Sequence, residues 1–298
     1  MQPWWLDSVC GKDGWTAAII HDSNDHIIAS LPFRKGSELG LLQWARMPKL
    51  TPYTGLLIKY PNNMTSASAR EYYIGRCWSE VHQKLPLGYL NLVLHPGLSP
   101  VLPWASFDLR SSSQVTYTLP LHQDVDTLWN LAKPSVRGKI RKAEKQLDII
   151  YPDHCADLYQ MLDKSFTKQN LKVPFSLDFL TQLYQSLSQH GQCILTIAID
   201  GQGRLHAGNL VIIDEKYAYN LITGSDSELH QSGAVPFLIW NAIKSLQGKV
   251  DYFDFEGGMI PRIASLYRSF GAIRTPCTRI YRSANKMTDA FFTLIGRF

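Results

Sequence analysis

Residues 216–246 read KYAYNLITGSDSELHQSGAVPFLIWNAIKSL, which places a strand pattern, a polar loop and a helix pattern in direct succession. The β-rich run Lys216–Thr223 predicts a strand, and Ala234–Leu246 predicts a helix. The polar loop Gly224–Gly233 ends with a glycine directly before the helix. A helix N-terminus presents free N–H groups and a partial positive charge, which favour an anion. The segment therefore predicts an anion site between a strand and a helix.

The flanking patterns extend this segment into a defined order of elements. Two amphipathic helices and two strands are predicted before it, at His154–Asn170, Ser176–His190, Cys193–Asp200 and Leu205–Asp214. A strand, a helix and a strand are predicted after it, at Tyr252–Glu256, Arg262–Phe270 and Thr278–Arg282. This order is neither an alternating Rossmann pattern nor a sandwich. It is typical of the acyltransferase fold called GNAT.

The first half of the chain reads as mixed α/β, and the whole chain is long enough for two domains. Trp15–Asp22 and His26–Pro32 are β-rich runs joined by a turn signal, which predicts a hairpin. Of the eight tryptophans, seven lie at or before Trp129, and this shift in composition favours a boundary near it. We therefore predict an α/β (α+β) protein with two tandem GNAT-like domains, 1–130 and 131–298, each with a mixed sheet flanked by helices. The apolar tail Lys286–Phe298 predicts a docking helix.

Composition excludes several classes of protein. With 298 residues, 45% hydrophobic and 18% charged, the chain is of ordinary globular composition, which excludes disorder, collagen-like repeats and a disulfide miniprotein. The five cysteines are dispersed, as expected for free thiols in a reducing compartment. No run approaches the ~20 apolar residues of a membrane span, and the N-terminus lacks a signal-peptide pattern. These features predict a cytoplasmic protein without stable membrane insertion.

The positive charge is concentrated in two blocks. Residues 133–145 hold six basic residues and one acidic residue, and residues 262–298 hold seven and one. Residues 146–261 hold seven basic and 13 acidic residues. Localised positive charge favours a local anion over a wholly basic nucleic-acid surface. Arg137 and Arg141, spaced i, i+4 on a predicted helix, form either a solvated basic face or a site for a diphosphate, an RNA backbone or a carboxylate.

Two short motifs carry candidate chemistry. In Gln231-Ser232-Gly233-Ala234, Gly233 allows close approach of a ligand to the backbone, although a plain strand-to-helix loop has the same pattern. In Asp251–Gly258 (DYFDFEGG), period-2 alternation places the two phenylalanines on one face and Asp254 and Glu256 on the other. A carboxylate at a strand end can deprotonate an attacking amine.

Each of these charged groups also has a structural alternative. Asp254 or Glu256 can cap a backbone group or pair with Arg262 or Arg268. Arg268, near the end of the predicted helix, can equally bind a phosphate. The nine histidines form no HExxH or HxH pattern, so no metal site is predicted.

Together these motifs resemble a known group of enzymes. Phe253–Met259 (FDFEGGM) followed by Tyr267–Ala272 (YRSFGA) resembles the C-terminal signature of FemAB-like and related GNAT-superfamily acyltransferases. Val136–Ala143 (VRGKIRKA) resembles the family's R-x-x-I-R-K-A helix, and Thr51–Gly55 (TPYTG) is similar to its T-P-Y-x-G turn. The order and spacing match over nearly the whole chain. The loop Gln231–Ala234 matches only part of the Gln/Arg-x-x-Gly-x-Gly/Ala loop with which GNAT enzymes bind coenzyme A.

The resemblance implies transfer of an acyl group to an amine. The leading hypothesis is an N-acyltransferase that uses acetyl-CoA or another acyl-CoA as co-substrate and a small-molecule or peptide amine as acceptor. Glu256, before Asp254, would be the base, and the loop Gln231–Ala234 would hold the donor. The acceptor or its anionic groups would contact four residues: Tyr53, Arg137, Arg141 and Arg268.

Two rival hypotheses stay open. The first is a Fem-type aminoacyltransferase, which takes an aminoacyl group from tRNA and adds it to the peptide of a cell-wall precursor. The second is a degenerate GNAT fold kept as a binding module without catalysis. The sequence leaves the donor, the acceptor and the oligomeric state open.

Overall fold

The computed structural model describes residues 2–38, 42–98 and 102–283. Its α-helices, in chain order, are α1 (Pro3–Cys10), α2 (Ala67–Gln83), α3 (Val125–Leu131), α4 (Pro134–Glu144), α5 (Ala156–Thr167), α6 (Leu177–Gln189), α7 (Ala234–Leu246) and α8 (Pro261–Ser269). Its strands are β1 (Trp15–His21), β2 (Ile27–Glu38), β3 (Leu42–Arg46), β4 (Leu57–Ile58), β5 (Tyr89–Leu94), β6 (Arg110–Pro120), β7 (Leu147–Ile150), β8 (Cys193–Asp200), β9 (Leu205–Ile213), β10 (Tyr217–Ser225), β11 (Tyr252–Asp254) and β12 (Ile273–Ser283). The helix predicted at Lys286–Phe298 lies outside the described residues.

The chain divides into two compact units whose limits differ from the predicted boundary at 130/131. Of the described residues, the first unit comprises those up to 114 together with 276–283, and the second comprises 115–275. Strand pairing explains the difference. From residue 118 on, β6 pairs with β11 of the second unit, and from residue 278 on, β12 pairs with β5 of the first. Local sequence patterns do not show such long-range partners.

The first unit contains a sheet in the order β1-β2-β3-β5-β12, with β4 paired to β2. The predicted hairpin is confirmed, because β1 and β2 pair antiparallel with Trp15 opposite Arg34. Helix α2 begins at the N-cap Ser66 and buries Trp78 and Val81 in the core of this unit. The ring of Trp78 contacts that of Trp104 edge-on, with centroids 5.0 Å apart.

The second unit contains a sheet in the order β6-β11-β10-β9-β8-β7, and within it only β10 and β11 pair in parallel. Helix α5 packs where Gly208 of β9 and Gly224 of β10 lie opposite each other. A Cβ at Gly224 would lie 2.5 Å from the backbone nitrogen of Leu162, so only glycine lets the helix come this close. Helix α7 packs into a core with Ala218 and Phe253.

No helix within the described ranges combines the length and the apolar character that a bilayer crossing requires.

Candidate functional site

The strands β10 and β11 pair over three residues only and then separate, and we call the place where they separate the opening. Tyr217, Ala218 and Tyr219 pair with Tyr252, Phe253 and Asp254. Beyond this point β10 continues to Ser225, whereas the backbone N–H of Phe255 donates to the carbonyl of Tyr117 on β6. In the described part of the chain, no strand pairs with this side of β10 after Tyr219. A strand edge of this kind can bind an extended ligand through backbone hydrogen bonds.

A closed set of hydrogen bonds holds the turn at the end of β11. The hydroxyl of Thr116 donates to Oδ1 of Asp254 (2.5 Å), and the same oxygen accepts from the backbone N–H of Glu256 (2.8 Å). The N–H of Gly257 donates to Oγ1 of Thr116 (3.2 Å). Asp254 is fully buried. Its carboxylate therefore positions the turn, and it does not lie open to a substrate.

The prediction that Asp254 and Glu256 share one face of a strand is wrong. The strand ends at Asp254, because the side chain of Asp254 captures the N–H of Glu256 and turns the chain. Glu256 has φ +50°, a left-handed conformation that costs a non-glycine residue free energy and is often found at functional sites. The alternation was correct as far as Phe255, since Phe253 and Phe255 are both fully buried and their rings are 5.1 Å apart.

The carboxyl group of Glu256 has an unusually high pKa. Burial and, secondarily, the negative charge of Asp254 raise the pKa of its carboxyl to about 8. No lysine or arginine of the described residues lies within 4.0 Å of this carboxyl. A carboxyl group whose pKa lies near neutral pH is suited to accept a proton and release it again.

Replacing Asp254 by asparagine is expected to lower the pKa of Glu256. The amide keeps an oxygen for the N–H of Glu256 but removes the charge that opposes ionisation of the neighbouring carboxyl. Carbon-13 NMR titration of the glutamate carboxyl groups should show the midpoint of one signal, near pH 8 in the wild type, moving down. An unchanged midpoint would show that burial alone raises this pKa.

A buried pair of amide side chains lies at the opening and was not predicted from the sequence. Nδ2 of Asn209 donates to Oδ1 of Asn220 (2.6 Å) and to Oγ1 of Thr223 (2.9 Å). Asn220 follows Tyr219, the last residue of β10 that pairs with β11, and the register of β9 and β10 shifts just there. The side chain of Asn220 also interacts with the hydroxyl of Tyr267. The available signal was a polar residue inside each of two apolar strand runs, AGNLVII and YAYNLIT.

Tyr267 and Arg268 of α8 complete this end of the sheet. Burial, followed by the charge of Glu256, raises the pKa of Tyr267 to about 12, so the hydroxyl keeps its proton. Nη1 of Arg268 donates to the hydroxyl of Tyr117 (3.0 Å). No carboxylate of the described residues lies within 4.0 Å of Arg268, so the ion pair with Glu256 considered above is not formed.

The predicted donor loop is packed against α4. Gln231 and Ser232 lie in a short 3₁₀ turn, Gly233 has φ +80°, and Ala234 begins α7. A Cβ at Gly233 would lie 2.5 Å from the carbonyl oxygen of Lys139. This close contact favours helix packing as the role of the glycine, which is the second of the two roles that its sequence pattern allows, beside close approach of a ligand.

The basic side chains of α4 contact different neighbouring residues. Nζ of Lys142 donates to the carbonyl of Gln231 (3.1 Å), which places an exposed ammonium group beside the donor loop. Arg137 donates to Oδ1 of Asn130 (3.2 Å), and the guanidinium of Arg141 lies 5.4 Å from the ring centroid of Trp129. Arg137 and Arg141 were the predicted anion-binding residues of this helix, and Lys142 was not predicted, although it lies in the same basic run.

Tyr53 belongs to the first unit, where it is buried and its ring packs edge-on against His95. The structure therefore groups Asp254, Glu256 and Arg268 at one end of the second unit's sheet, and it groups the donor loop with α4.

Within residues 2–38, 42–98 and 102–283, no cluster of three histidine, cysteine, aspartate or glutamate side chains is suited to hold a metal ion.

Residues 132–260 match the family model described as an acetyltransferase (GNAT) domain. They include α4, the strands β7–β11, α7 and the turn at Glu256. This part of the chain is similar to GNAT domains, and the predicted resemblance to GNAT-superfamily acyltransferases is confirmed. A comparison with curated protein sequences finds no match.

Several solved structures are similar to the chain over nearly its whole length. The structure of FemX superposes with a TM-score of 0.68 at 11% identity, covering 98% of this chain and 93% of FemX. L-PGS from Bacillus licheniformis gives a TM-score of 0.55 at 11% identity, with 99% and 96% covered. The C-terminal domain of a putative lysylphosphatidylglycerol synthetase from Agrobacterium fabrum gives 0.54 at 13% identity, with 97% and 90% covered. At such identities the likeness shows a shared fold, and the predicted α/β GNAT fold class is confirmed.

Proposed function

We propose that this protein is an N-acyltransferase that transfers an acyl group from an activated donor to an amine. The observation that carries the proposal is the carboxyl of Glu256, with a pKa near 8, beside the opening between β10 and β11. A protonated amine cannot attack a carbonyl, so the reaction needs a base that accepts a proton close to neutral pH.

The proposed reaction is a direct transfer of the acyl group from the donor to the amine. The amine nitrogen attacks the acyl carbonyl while Glu256 accepts the amine's proton, and the bond to the leaving group then breaks. Asp254 and Thr116 hold Glu256 in place, so they are positioning residues. Tyr267 stays protonated at neutral pH and can donate a hydrogen bond to the leaving group. Much of the acceleration would come from holding amine and donor in register along the edge of β10.

We infer that the donor is acetyl-CoA or another acyl-CoA, with its phosphates near the start of α7. Only some of the N–H groups at the start of α7 are available to bind an anion. The N–H of Ala234 already donates to Oγ of Ser232 (3.3 Å), and that of Phe237 donates to the carbonyl of Gly233. Among the described hydrogen bonds, the N–H of Val235 has no acceptor. Val235 and the ammonium group of Lys142 are therefore the groups best placed to bind a phosphate.

The acceptor in this proposal is an amine on a small molecule or a peptide. Arg137, Arg141 and Arg268 would contact its anionic groups.

Titration of the purified protein with acetyl-CoA, coenzyme A and deacylated tRNA, by calorimetry and thermal shift, tests the donor. Micromolar binding of coenzyme A supports the acyl-CoA assignment. Binding of tRNA alone, weakening steeply with salt, replaces it by an aminoacyl donor. No binding to any of the three favours a non-catalytic binding module.

Changing Lys142 to glutamine is expected to weaken binding of the acyl-CoA donor by about tenfold, because a hydrogen bond to a charged group contributes roughly 1.5 kcal/mol. Lys145→Gln in the same basic run is the matched control, since it removes an equal charge one turn away. Calorimetric Kd values for coenzyme A measure both. Equal losses in the two variants would mean that only overall charge matters and would remove Lys142 from the donor site.

A Fem-type aminoacyl transfer is the second candidate, and the likeness to the FemX fold favours it. In that case the basic face of Arg137 and Arg141 would contact the tRNA backbone, and the acceptor would be the peptide of a cell-wall precursor. A charge reversal of Arg141 should then weaken tRNA binding and reduce the salt dependence of that binding. Added coenzyme A should have no effect on tRNA binding.

A further inference from the structure

Three apolar side chains stand out in solvent directly after Glu256. Met259 is 63% exposed, Ile260 is 58% exposed, and Ile263, in the first turn of α8, is 39% exposed. We call these three residues the apolar tip. Pro261 begins α8 between them. Large apolar side chains grouped in this way, in contrast to single ones, mark a surface that contacts an apolar partner.

The base of the apolar tip is firmly held. Gly257 has φ +97°, and a Cβ at Gly258 would lie 2.7 Å from the ring of Tyr117, so the chain passes close to that ring before it turns outward. On α8, Ala264 is buried, and the ring of Tyr267 lies 4.8 Å from that of Phe255. The exposed side chains are therefore presented by an ordered support.

The segment that carries the apolar tip has charges of one sign. Residues 257–275 contain three arginines, Arg262, Arg268 and Arg274, and no aspartate or glutamate. All three are exposed. Within the described residues, no carboxylate lies within 4.0 Å of Arg262 or Arg274. This segment contrasts with residues 146–261, which carry 13 acidic and seven basic residues.

We propose that the apolar tip docks onto an anionic bilayer surface. Apolar side chains flanked by arginines fit such a surface, because the apolar groups enter the boundary between headgroups and acyl chains while the guanidinium groups remain with the lipid phosphates. A neutral apolar partner would not require the arginines, and a soluble anion would not require the exposed methionine and isoleucines. Docking there would bring Glu256 close to the membrane surface.

Sedimentation of the full chain with lipid vesicles tests this proposal. Vesicles of phosphatidylcholine alone and vesicles that also contain phosphatidylglycerol are compared, at low and at high salt. We expect binding to the second kind only, weakened by salt. The double variant Met259→Ser/Ile260→Ser should lose about tenfold or more in vesicle affinity. Arg262→Gln should lose less, and mainly at low salt.

Leu87→Ser is the matched control, because Leu87 is 79% exposed and belongs to the first unit. It should bind vesicles like the wild type. Failure of the wild type to bind, equal binding to neutral vesicles, or unchanged binding by the double variant would overturn the proposal. So would concentration-dependent self-association that the double variant abolishes, since the occupant would then be a second copy of the chain. Vesicle binding needs no acyl donor, so this result is independent of the proposed transfer reaction.

Discussion

Replacing Glu256 by glutamine is expected to lower the rate of acyl transfer by about 100-fold or more, the usual contribution of a general base. Glutamine has nearly the same size and keeps the backbone N–H that Asp254 binds, so the turn should persist. In the wild type, kcat/KM should rise with pH and level off above about 8, because the carboxyl must lose its proton to act as a base. The variant should lack this rise.

Thermal stability provides the control for Glu256→Gln. The pKa of this carboxyl is higher in the folded chain than its ordinary value of 4.5, so the native state binds the proton more tightly than the unfolded state. The wild type should therefore lose stability as the pH rises from about 4.5 to about 8, and glutamine should remove that loss. The variant should match the wild type at pH 4 and be the more stable protein at pH 9. Full activity with a flat stability profile would exclude Glu256 as the base.

Much of the second unit's fold could be predicted because its elements have clear local signals. The strand, loop and helix of Lys216–Leu246 were predicted correctly, as was the buried pair Phe253 and Phe255. These predictions depend on residue periodicity within one segment, which the sequence displays directly. The same holds for the predicted basic helix that carries Arg137 and Arg141, which is α4 at Pro134–Glu144.

The candidate site was harder to predict, because its geometry depends on partners distant in sequence. Asp254 ends its strand by binding Glu256 and Thr116, and the latter lies 138 residues away. Asn209 and Asn220 are 11 residues apart and meet only because β9 and β10 pair. The limits of the two units have the same origin, because the residues of β6 and β12 do not specify the strands with which they pair.

Gly233 is the position where the two explanations of the donor loop give different expectations. If the glycine serves helix packing, Gly233→Val should destabilise the protein by about 3 kcal/mol or more, because a β-branched residue must adopt φ +80° and its Cβ meets the carbonyl of Lys139. If it serves ligand approach, the same variant should remain stable and lose only donor binding. Urea denaturation followed by circular dichroism separates the two outcomes.

Gly138→Val is the control for this substitution. Gly138 lies on α4 next to Lys139, but a Cβ there meets no atom within 4 Å. Valine in a helix is no worse than glycine, so Gly138→Val should be as stable as the wild type or slightly more stable. A large loss of stability in Gly233→Val together with none in Gly138→Val would show that the destabilisation arises at the contact between the loop and α4.

Because Lys142 of the same helix donates to Gln231, loosening this contact would also move the ammonium group away from the start of α7. Loss of donor binding in Gly233→Val would therefore be a consequence of the packing defect, and only a stable variant that fails to bind would restore the glycine to the ligand site.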